Sequence, residues 1–410
     1  MSLDGKRALK IGLTGLLFAA ILVLSLNHRA LMISAYLSLS LTCALIVYAV
    51  IRRAWLDFVL VLAGGLFLAV LDYRVTHSQP IFMSACAFVS LATLFVLGAH
   101  IIWADRDDRG LLLCCFVPTV PVVTLDWLAP SLHHITEALH PKTFDMFLYS
   151  FDCSLWVQPS FLMGQVFGKW QWLSSACLII YNTLPLPLAL IYAAQLRRSG
   201  RNALVVMLTF VVTGPMGILF YNMLPACGPL YLFGKAFPWH PLAIAEAMRL
   251  PVVPVVLKGV RNAIPSLHMA WVLLVWWNSY GLPRWIRAIA LVFVVLTAMA
   301  TLGTGEHYFV DLVVAFPFSL MVQAVCSYPL PWRTGPRRTA FLFGTFVTLA
   351  WIALLSYAIG FFWISPLVPW VMIVATLIPS GALWRRLLRA GTEEQPAHLR
   401  AAAAAAAASS

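Results

Sequence analysis

Charged side chains are scarce in this chain. Asp, Glu, Lys and Arg together make up 10% of its 410 residues, while 62% of the residues are hydrophobic. So few polar groups cannot cover the surface of a water-soluble protein of this length. The composition therefore excludes an ordinary soluble fold and predicts an integral membrane protein whose helices form one bundle in lipid.

Acidic residues are fewer than basic ones, 15 against 27, which leaves a net charge of +12. A basic excess can indicate nucleic-acid binding, but here Lys and Arg lie singly or in pairs between apolar runs and form no polar cluster. This distribution is typical of topology signals and of contact with anionic lipid headgroups. We expect a membrane as the partner and no nucleic acid.

The eight cysteines also lack the spacing of metal ligands. Six of them lie in apolar runs, where a thiol usually packs as a small side chain. Cys153 and Cys227 fall in segments that we place outside the cytoplasm, so a disulfide between them stays open if that compartment is oxidising.

Long apolar runs recur along the whole chain. Each is long enough to cross about 30 Å of hydrocarbon as a helix. The sequence therefore predicts an all-α, polytopic transmembrane bundle of about twelve spans. The spans are expected to begin near Leu9, Ala30, Trp55, Pro80, Gly110, Gln171, Ala203, Ser266, Trp285, Tyr308, Ala340 and Phe361.

Basic residues alternate from one inter-span link to the next, which predicts the orientation, because Lys and Arg in short loops stay in the cytoplasm. Both termini are then cytoplasmic. The opposite side receives two long segments, Ala129 to Trp170 and Pro225 to Pro265, which are rich in proline and aromatic residues. We expect function to concentrate in these two segments, because irregular backbone at a membrane surface is tolerated where it covers a cavity.

Two motifs at the outer ends of predicted spans carry the chemistry. The first runs from Lys258 to His268 and the second from Gly303 to Asp311. His307 and Asp311 are four residues apart, so on a helix they would share a face, and the carboxylate would accept a hydrogen bond from one ring nitrogen. The other nitrogen would be left basic. This pattern predicts His307 as a nucleophile toward phosphorus.

The first motif supplies the remaining groups for phosphoryl transfer. His268 is the predicted proton donor to the leaving alkoxide. Arg261 and, more weakly, Lys258 are the predicted phosphate ligands. Pro265 fits the first turn of a helix whose free N–H groups would face an anion. Nothing in this set requires a metal, and we predict no cofactor.

The plain alternative is that each intramembrane histidine only bonds a neighbouring helix. Two histidines, an aspartate and an arginine at one face favour a site, because ionisable residues are rare in membrane spans. Several further residues are weaker candidates. Asp126, Asp145 and Asp152 could bind a headgroup, but a surface position is the better interpretation. Glu306 is equally well explained by the helix dipole, and Cys227-Gly228-Pro229 by a simple turn. His133, His134 and His140 lack the spacing of metal ligands on one helix face.

At Pro265-Ser-Leu-His268 and at His307 to Asp311 the sequence resembles the type 2 phosphatidic acid phosphatase (PAP2) superfamily. The resemblance covers roughly Gln171 to Tyr328. It implies a six-helix catalytic core in the C-terminal half, a phosphohistidine on His307, assistance by His268 and orientation by Asp311.

Two departures from the family pattern are present. Leu267 stands where phosphatases usually have Gly, and Ala300-Thr301 stands where a Ser-Arg pair is usual. These departures resemble the inositolphosphorylceramide synthase branch. The resemblance then implies a transferase that moves an inositol-phosphate-like headgroup from a phospholipid donor to a lipid alcohol such as a sphingolipid base.

Two alternatives stay open. A PAP2-type lipid phosphate or pyrophosphate phosphatase would use the same residues with water as the acceptor. An anion or lipid transporter would bind its cargo at the same residues, although no duplicated half is visible.

The predicted organisation has four parts. Residues 1–128 form N-terminal transmembrane helices outside the recognised core, 129–330 the PAP2-like catalytic core, 331–391 C-terminal transmembrane helices and 392–410 a disordered or accessory tail that ends in alanines. We expect the protein in the plasma (inner) membrane, with its site facing the periplasm, exterior or lumen.

Overall fold

The computed structural model describes residues 35–52, 55–76, 82–104 and 106–393. Within these residues the chain forms seventeen α-helices, two short 3-10 helices and one pair of two-residue strands. The all-α class predicted from the composition is confirmed. The predicted span near Leu9 and the alanine tail lie outside the described residues.

The helices and strands follow one another in chain order. The first ten elements are α1 (Ala35–Ile51), α2 (Trp55–Thr76), α3 (Phe82–Trp103), α4 (Arg106–Cys114), α5 (Thr119–Leu139), β1 (Lys142–Thr143), α6 (Asp145–Ser154), α7 (Pro159–Lys169), α8 (Gln171–Asn182) and α9 (Pro185–Arg198). The others are α10 (Gly200–Met223), α11 (Pro229–Phe233), α12 (Ile244–Ala247), β2 (Val255–Val256), α13 (Leu267–Asn278), α14 (Arg284–Gly303), α15 (Phe309–Cys326), α16 (Gly335–Tyr357) and α17 (Leu367–Glu393).

Backbone contacts divide the chain into two units. Unit 1 comprises Met1–Trp127 and Pro185–Arg197, and unit 2 comprises Leu128–Leu184 and Arg198–Ser410. Both histidine motifs belong to unit 2.

In unit 1 a buried carboxylate joins three helices. Asp57 of α2 accepts a hydrogen bond from the hydroxyl of Tyr48 in α1, and its Oδ1 lies 2.9 Å from Nε2 of His100 in α3. Because a carboxylate in an apolar bundle needs polar partners, these contacts hold the three helices in register.

Unit 2 contains the longest apolar helices. Within the described residues five helices are long and apolar enough to cross a membrane, namely Gly200–Met223, Arg284–Gly303, Phe309–Cys326, Gly335–Tyr357 and Leu367–Gly391. A sixth span results if α8, which belongs to unit 2, and α9, which belongs to unit 1, are counted together as one broken span. These helices indicate an integral membrane protein. The apolar window of α15 is 83% buried, against 33% for α16, so α15 is the inner helix of this unit.

The predicted count of twelve spans is not confirmed. The run from Gly110 is divided between α4 and α5, and the run from Ser266 forms α13, which has only 12 residues. At about 1.5 Å per residue a helix of that length covers roughly 18 Å, well short of the hydrocarbon thickness. Apolar runs therefore overcount spans where part of a run packs against protein instead of lipid.

The two long segments that link the spans of unit 2 meet in the β1–β2 pair. Lys142 pairs with Val256 and Thr143 with Val255 in antiparallel register. The disulfide left open between Cys153 and Cys227 is not formed, since both are buried free thiols. The segments therefore join through backbone pairing and through the buried side chains described next.

Candidate active site

The imidazole of His307 is held by a backbone carbonyl. Its Nδ1 lies 2.9 Å from the carbonyl oxygen of Ala263 and 3.4 Å from Oδ2 of Asp311. A carbonyl oxygen can only accept, so the hydrogen-bond network assigns the proton to Nδ1. Nε2 then carries the lone pair, and it lies 3.2 Å from Oγ of Ser266. His307 is only 2% exposed.

Asp311 acts on His307 in a different way from the one that the four-residue spacing predicted. The helix α15 begins at Phe309, so His307 precedes it and the two side chains do not share a helical face. Oδ2 of Asp311 accepts a hydrogen bond of 2.8 Å from the backbone N–H of Tyr308, which caps the helix. The carboxylate thus fixes the turn that carries His307 and stands beside its Nδ1 as a second partner.

Ser266 joins the two motifs. It is the N-cap of α13, where its Oγ accepts from the N–H of Met269 at 3.4 Å, and its own N–H donates to the carbonyl of Asp311 at 3.2 Å. Its hydroxyl proton is therefore free to point toward Nε2 of His307. Pro265, predicted in the first helical turn, lies before the cap. The start of α13 and the start of α15 meet at the imidazole.

His268, in the first turn of α13, lies between two aromatic side chains. Its Nδ1 is 2.8 Å from the hydroxyl of Tyr181 in α8, and the two rings are stacked with centroids 3.9 Å apart. Trp271 meets the imidazole edge-on, with centroids 5.8 Å apart. Sequence analysis missed Tyr181, because an aromatic residue in an apolar run has no feature that marks it as a partner of a histidine.

Arg261 is 2% exposed, and its guanidinium is occupied by protein acceptors. Nε donates to the carbonyl of His140 at 3.1 Å, and Nη2 donates to the carbonyl of Leu257 at 2.9 Å. Further contacts are made with the carbonyls of Gly259 and Pro141 and with Glu137 at 3.3 Å. Arg261 therefore links the loop that follows β2 to the end of α5. Its predicted role as a phosphate ligand would require it to release these acceptors.

Lys258 lies in the same loop and its side chain is exposed. Among the described hydrogen bonds, neither Lys258 nor Arg261 contacts His268 or His307. The predicted cationic pair is therefore separated into one exposed lysine and one buried arginine that organises the loop.

Asp145 and Asp152 of α6 are buried, which corrects the surface position that we expected for them. They are 0% and 2% exposed. Oδ1 of Asp145 accepts from the N–H of Gly228 at 2.8 Å and from the hydroxyl of Tyr308 at 3.0 Å. Oδ2 of Asp152 accepts from the N–H of Phe309 at 2.9 Å. Burial raises the pKa of both carboxyl groups, and the hydrogen bonds that they accept lower it in part.

The turn at Gly228 also lies against the site. Gly228 has a positive φ of 126°, and a Cβ there would lie 2.5 Å from the carbonyl oxygen of Glu306. Glu306 is half-buried beside His307, and burial raises the pKa of its carboxyl group. The closeness of backbone to backbone explains why glycine occupies position 228.

The remaining candidates lie elsewhere. Nε2 of His140 is 3.0 Å from the amide oxygen of Asn222, and the ring of His133 lies near that of Tyr221. His134 is exposed. The side chain of Asp126 lies outside the described part of the chain.

Comparison with known proteins finds a family model that matches the part of the chain that holds these residues. Residues 146–325 match the model of the PAP2 superfamily, and this segment includes both histidine motifs, Asp311, Ser266 and Tyr181. No curated protein and no solved structure matches the chain. The matched segment indicates a phosphatase or phosphotransferase that acts on lipid-type substrates in a membrane.

Proposed function

We propose that this protein is a membrane-embedded lipid phosphotransferase that works through a phosphohistidine on His307. The observation that carries the proposal is the tautomer of that side chain. Since Nδ1 donates to the Ala263 carbonyl, the basic nitrogen Nε2 is directed to Ser266 at the start of α13, where partial positive charge favours an anion.

In the first half-reaction Nε2 attacks the phosphorus of a donor phospholipid. The bond from phosphorus to the diacylglycerol oxygen breaks, and that oxygen takes a proton from His268. The N–H groups of the first turn of α13 stabilise the charge that builds on the phosphoryl oxygens. Asp311 and the Ala263 carbonyl stabilise the imidazolium that forms on His307.

In the second half-reaction a lipid alcohol attacks the phosphoryl group. Its hydroxyl proton passes to His268, the bond from phosphorus to Nε2 breaks, and the phosphorylated headgroup leaves on the acceptor lipid. His307 regains its lone pair and His268 its proton, so the cycle closes with no cofactor. The headgroup that we propose is inositol phosphate-like, and the acceptor a sphingolipid-type alcohol.

Burial supports a transferase over a hydrolase. His307 is 2% exposed, and the half-buried His268 packs against Tyr181 and Trp271. A transferase must keep water from the phosphohistidine while a lipid hydroxyl enters. Aromatic side chains beside His268, the proton-transfer group, suit a lipid alcohol that enters from the membrane.

A phosphatase is the second candidate. Leu267, one of the two departures that resemble the transferase branch, is explained by helix packing alone. A Cβ at Gly217 in α10 would lie 2.4 Å from Cδ2 of Leu267. Leu267 is therefore turned into the notch at Gly217, so its presence in place of Gly reflects helix packing. Water in place of the lipid alcohol would make the same residues hydrolytic.

For the location we propose the plasma membrane, with both termini in the cytoplasm and the site on the opposite face. The alternation of basic loops supports this orientation. Labelling of Glu306→Cys in sealed cells with a membrane-impermeant maleimide tests it. Labelling only after the cytoplasmic side is opened would contradict it.

The reaction is tested by mass spectrometry of lipid products. Purified wild type and His307→Ala are incubated in vesicles of phosphatidylinositol, phosphatidylcholine and phosphatidic acid that contain ceramide and diacylglycerol. A new phosphodiester lipid formed only by wild type supports the transferase. Free phosphate, or a free phosphorylated headgroup without such a lipid, favours the phosphatase.

A further inference from the structure

The helix α6 directs two buried carboxylates at the turn that carries His307. Asp145 and Asp152 are seven residues apart, about two helical turns, so both lie on one face of α6. Asp152 accepts from the N–H of Phe309 at 2.9 Å and from the N–H of Val310 at 3.3 Å. Asp145 accepts from the hydroxyl of Tyr308 at 3.0 Å. The three residues after His307 are all held by α6.

The backbone on either side of the imidazole is held as well. The carbonyl of His307 accepts a hydrogen bond of 2.8 Å from Oγ of Ser160 in α7, and the N–H of Tyr308 donates to Asp311. None of these bonds involves the imidazole. They fix the position of the ring through its backbone and do not occupy Nε2. Preorganisation of this kind is what a nucleophile needs, because a small displacement costs rate steeply.

When ionised, the two carboxyl groups also contribute negative charge. Neither forms an ion pair with Lys or Arg in the described part of the chain. A buried carboxylate without a cation lowers stability unless other groups compensate its charge. The N-terminal N–H groups of α15 supply part of that compensation. A positive charge on the imidazole would supply more, and such a charge develops when Nε2 bonds to phosphorus.

We propose that Asp152 and Asp145 are positioning residues for the nucleophile: they hold the His307 turn and stabilise the imidazolium of the phosphorylated histidine. This inference rests on the proposed phosphoryl transfer. It assigns a catalytic purpose to α6, which the sequence motifs do not include. Asp152 has the larger role, because each of its oxygens accepts one N–H of α15.

The test compares Asp152→Asn with a control on the same helix. Asparagine keeps the size, but its amide group can accept only one of the two N–H bonds and carries no charge. The control is Ser150→Ala, since Oγ of buried Ser150 accepts from Nε1 of Trp363 at 3.0 Å and does not contact the His307 turn. Rates are measured in the phosphatidylinositol, phosphatidylcholine and phosphatidic acid vesicles with ceramide and diacylglycerol.

We expect Asp152→Asn to lower kcat by about 10- to 100-fold with KM within about twofold, because a lost bond to a charged group acts on the bound state. Ser150→Ala should keep kcat within about twofold. The amount of phosphohistidine on His307 after an alkaline quench should fall in Asp152→Asn alone. A wild-type kcat in Asp152→Asn, or an equal loss in Ser150→Ala, would overturn the proposal.

Two further measurements cover other outcomes. If Asp152→Asn does not fold, Tyr308→Phe removes only the hydroxyl bond to Asp145 and should lower kcat about three- to tenfold; an unchanged kcat there contradicts the proposal. If wild type turns over no lipid, the proposed function fails by itself. The rate at which diethyl pyrocarbonate modifies His307 then decides the positioning role: a change of about fivefold in Asp152→Asn, but not in Ser150→Ala, supports it, and equal rates reject it.

Discussion

The Nδ1 atom of His307 lies 2.9 Å from the carbonyl oxygen of Ala263, a residue 44 positions earlier in the chain. Because that oxygen can only accept, the contact assigns the proton of the imidazole to Nδ1. The backbone just before Ser266 therefore sets which nitrogen of His307 can attack phosphorus. Ser266 itself then faces that nitrogen, so one short segment both orients the nucleophile and begins the helix that meets the phosphate.

Replacement of the nucleophile gives the first prediction. His307→Ala should lower lipid turnover by at least about 1,000-fold, since a nucleophile cannot be substituted by its neighbours. The variant should still elute as a single species in detergent. Mass spectrometry of lipid products checks the loss, and the exposed His240→Ala is the control. Substantial turnover in His307→Ala would remove the phosphohistidine mechanism.

Tyr181 gives the second prediction. Tyr181→Phe keeps the stacked ring but loses the hydroxyl that lies 2.8 Å from Nδ1 of His268. We expect kcat to fall about tenfold, because the proton-transfer group loses the hydrogen-bond partner that orients its ring. Tyr357→Phe, at a side chain that is 91% exposed, should leave kcat unchanged. An equal kcat in both variants would show that stacking alone positions His268.

Arg261 gives a prediction that separates two roles. If it organises the loop, Arg261→Met should lower the free energy of unfolding by about 2–4 kcal/mol, because several buried carbonyls lose their donor together. If it binds phosphate instead, KM should rise while the melting temperature is kept. Thermal unfolding and initial rates measured on the same preparation separate the two outcomes. The exposed Lys258→Ala is expected to leave stability unchanged.

The pH dependence of stability gives a fourth prediction. Burial raises the pKa of Asp152 well above 3.8, so the folded state binds a proton at this group more readily than the unfolded state. Lowering the pH from the raised pKa of the folded state toward the pKa of the unfolded state should therefore stabilise wild type. This stabilisation is lost as the pH rises through the raised pKa. Asp152→Asn should lack it. Melting temperatures of both proteins, measured as the pH is lowered toward the ordinary pKa of an aspartate, test the sign, and parallel curves would contradict the assignment.

Helix packing beside the site gives a fifth prediction. Gly217→Ala places a methyl group against Leu267, which should cost about 1–3 kcal/mol of stability and shift His268. Leu267→Ala should restore both stability and kcat in the Gly217→Ala background. Additive losses in the double variant would mean that the two positions do not interact.

The sequence was most informative about residues whose type alone indicates their chemical role. His307, His268 and Asp311 were identified by type and order, and the structure brings His307 and Asp311 together. The shared helical face that we predicted for them is wrong, because a four-residue spacing assumes a helix, whereas the helix begins two residues after His307. The predicted contact between the carboxylate and a ring nitrogen is present at 3.4 Å. Helix starts are among the weakest features of sequence-based prediction.

Other parts of the site were not predictable from sequence. Tyr181 and the carboxylates of α6 are recognised only by what they contact in three dimensions. Asp145 and Asp152 were expected at the surface because aspartate usually is exposed. Arg261 was expected to bind phosphate, but backbone carbonyls from two segments, which no side-chain pattern reveals, surround it.

The fit of Leu267 into the space above Gly217 has a consequence for related chains. A large side chain at one position requires a small one at the other, because Leu267 fills the space that Gly217 leaves. Chains that carry glycine after Pro-Ser in the first histidine motif should then have a larger residue at the position that corresponds to Gly217. The two positions are expected to covary among chains that match the same family model, and the variable residue of this motif would record how closely the helices that correspond to α10 and α13 approach each other.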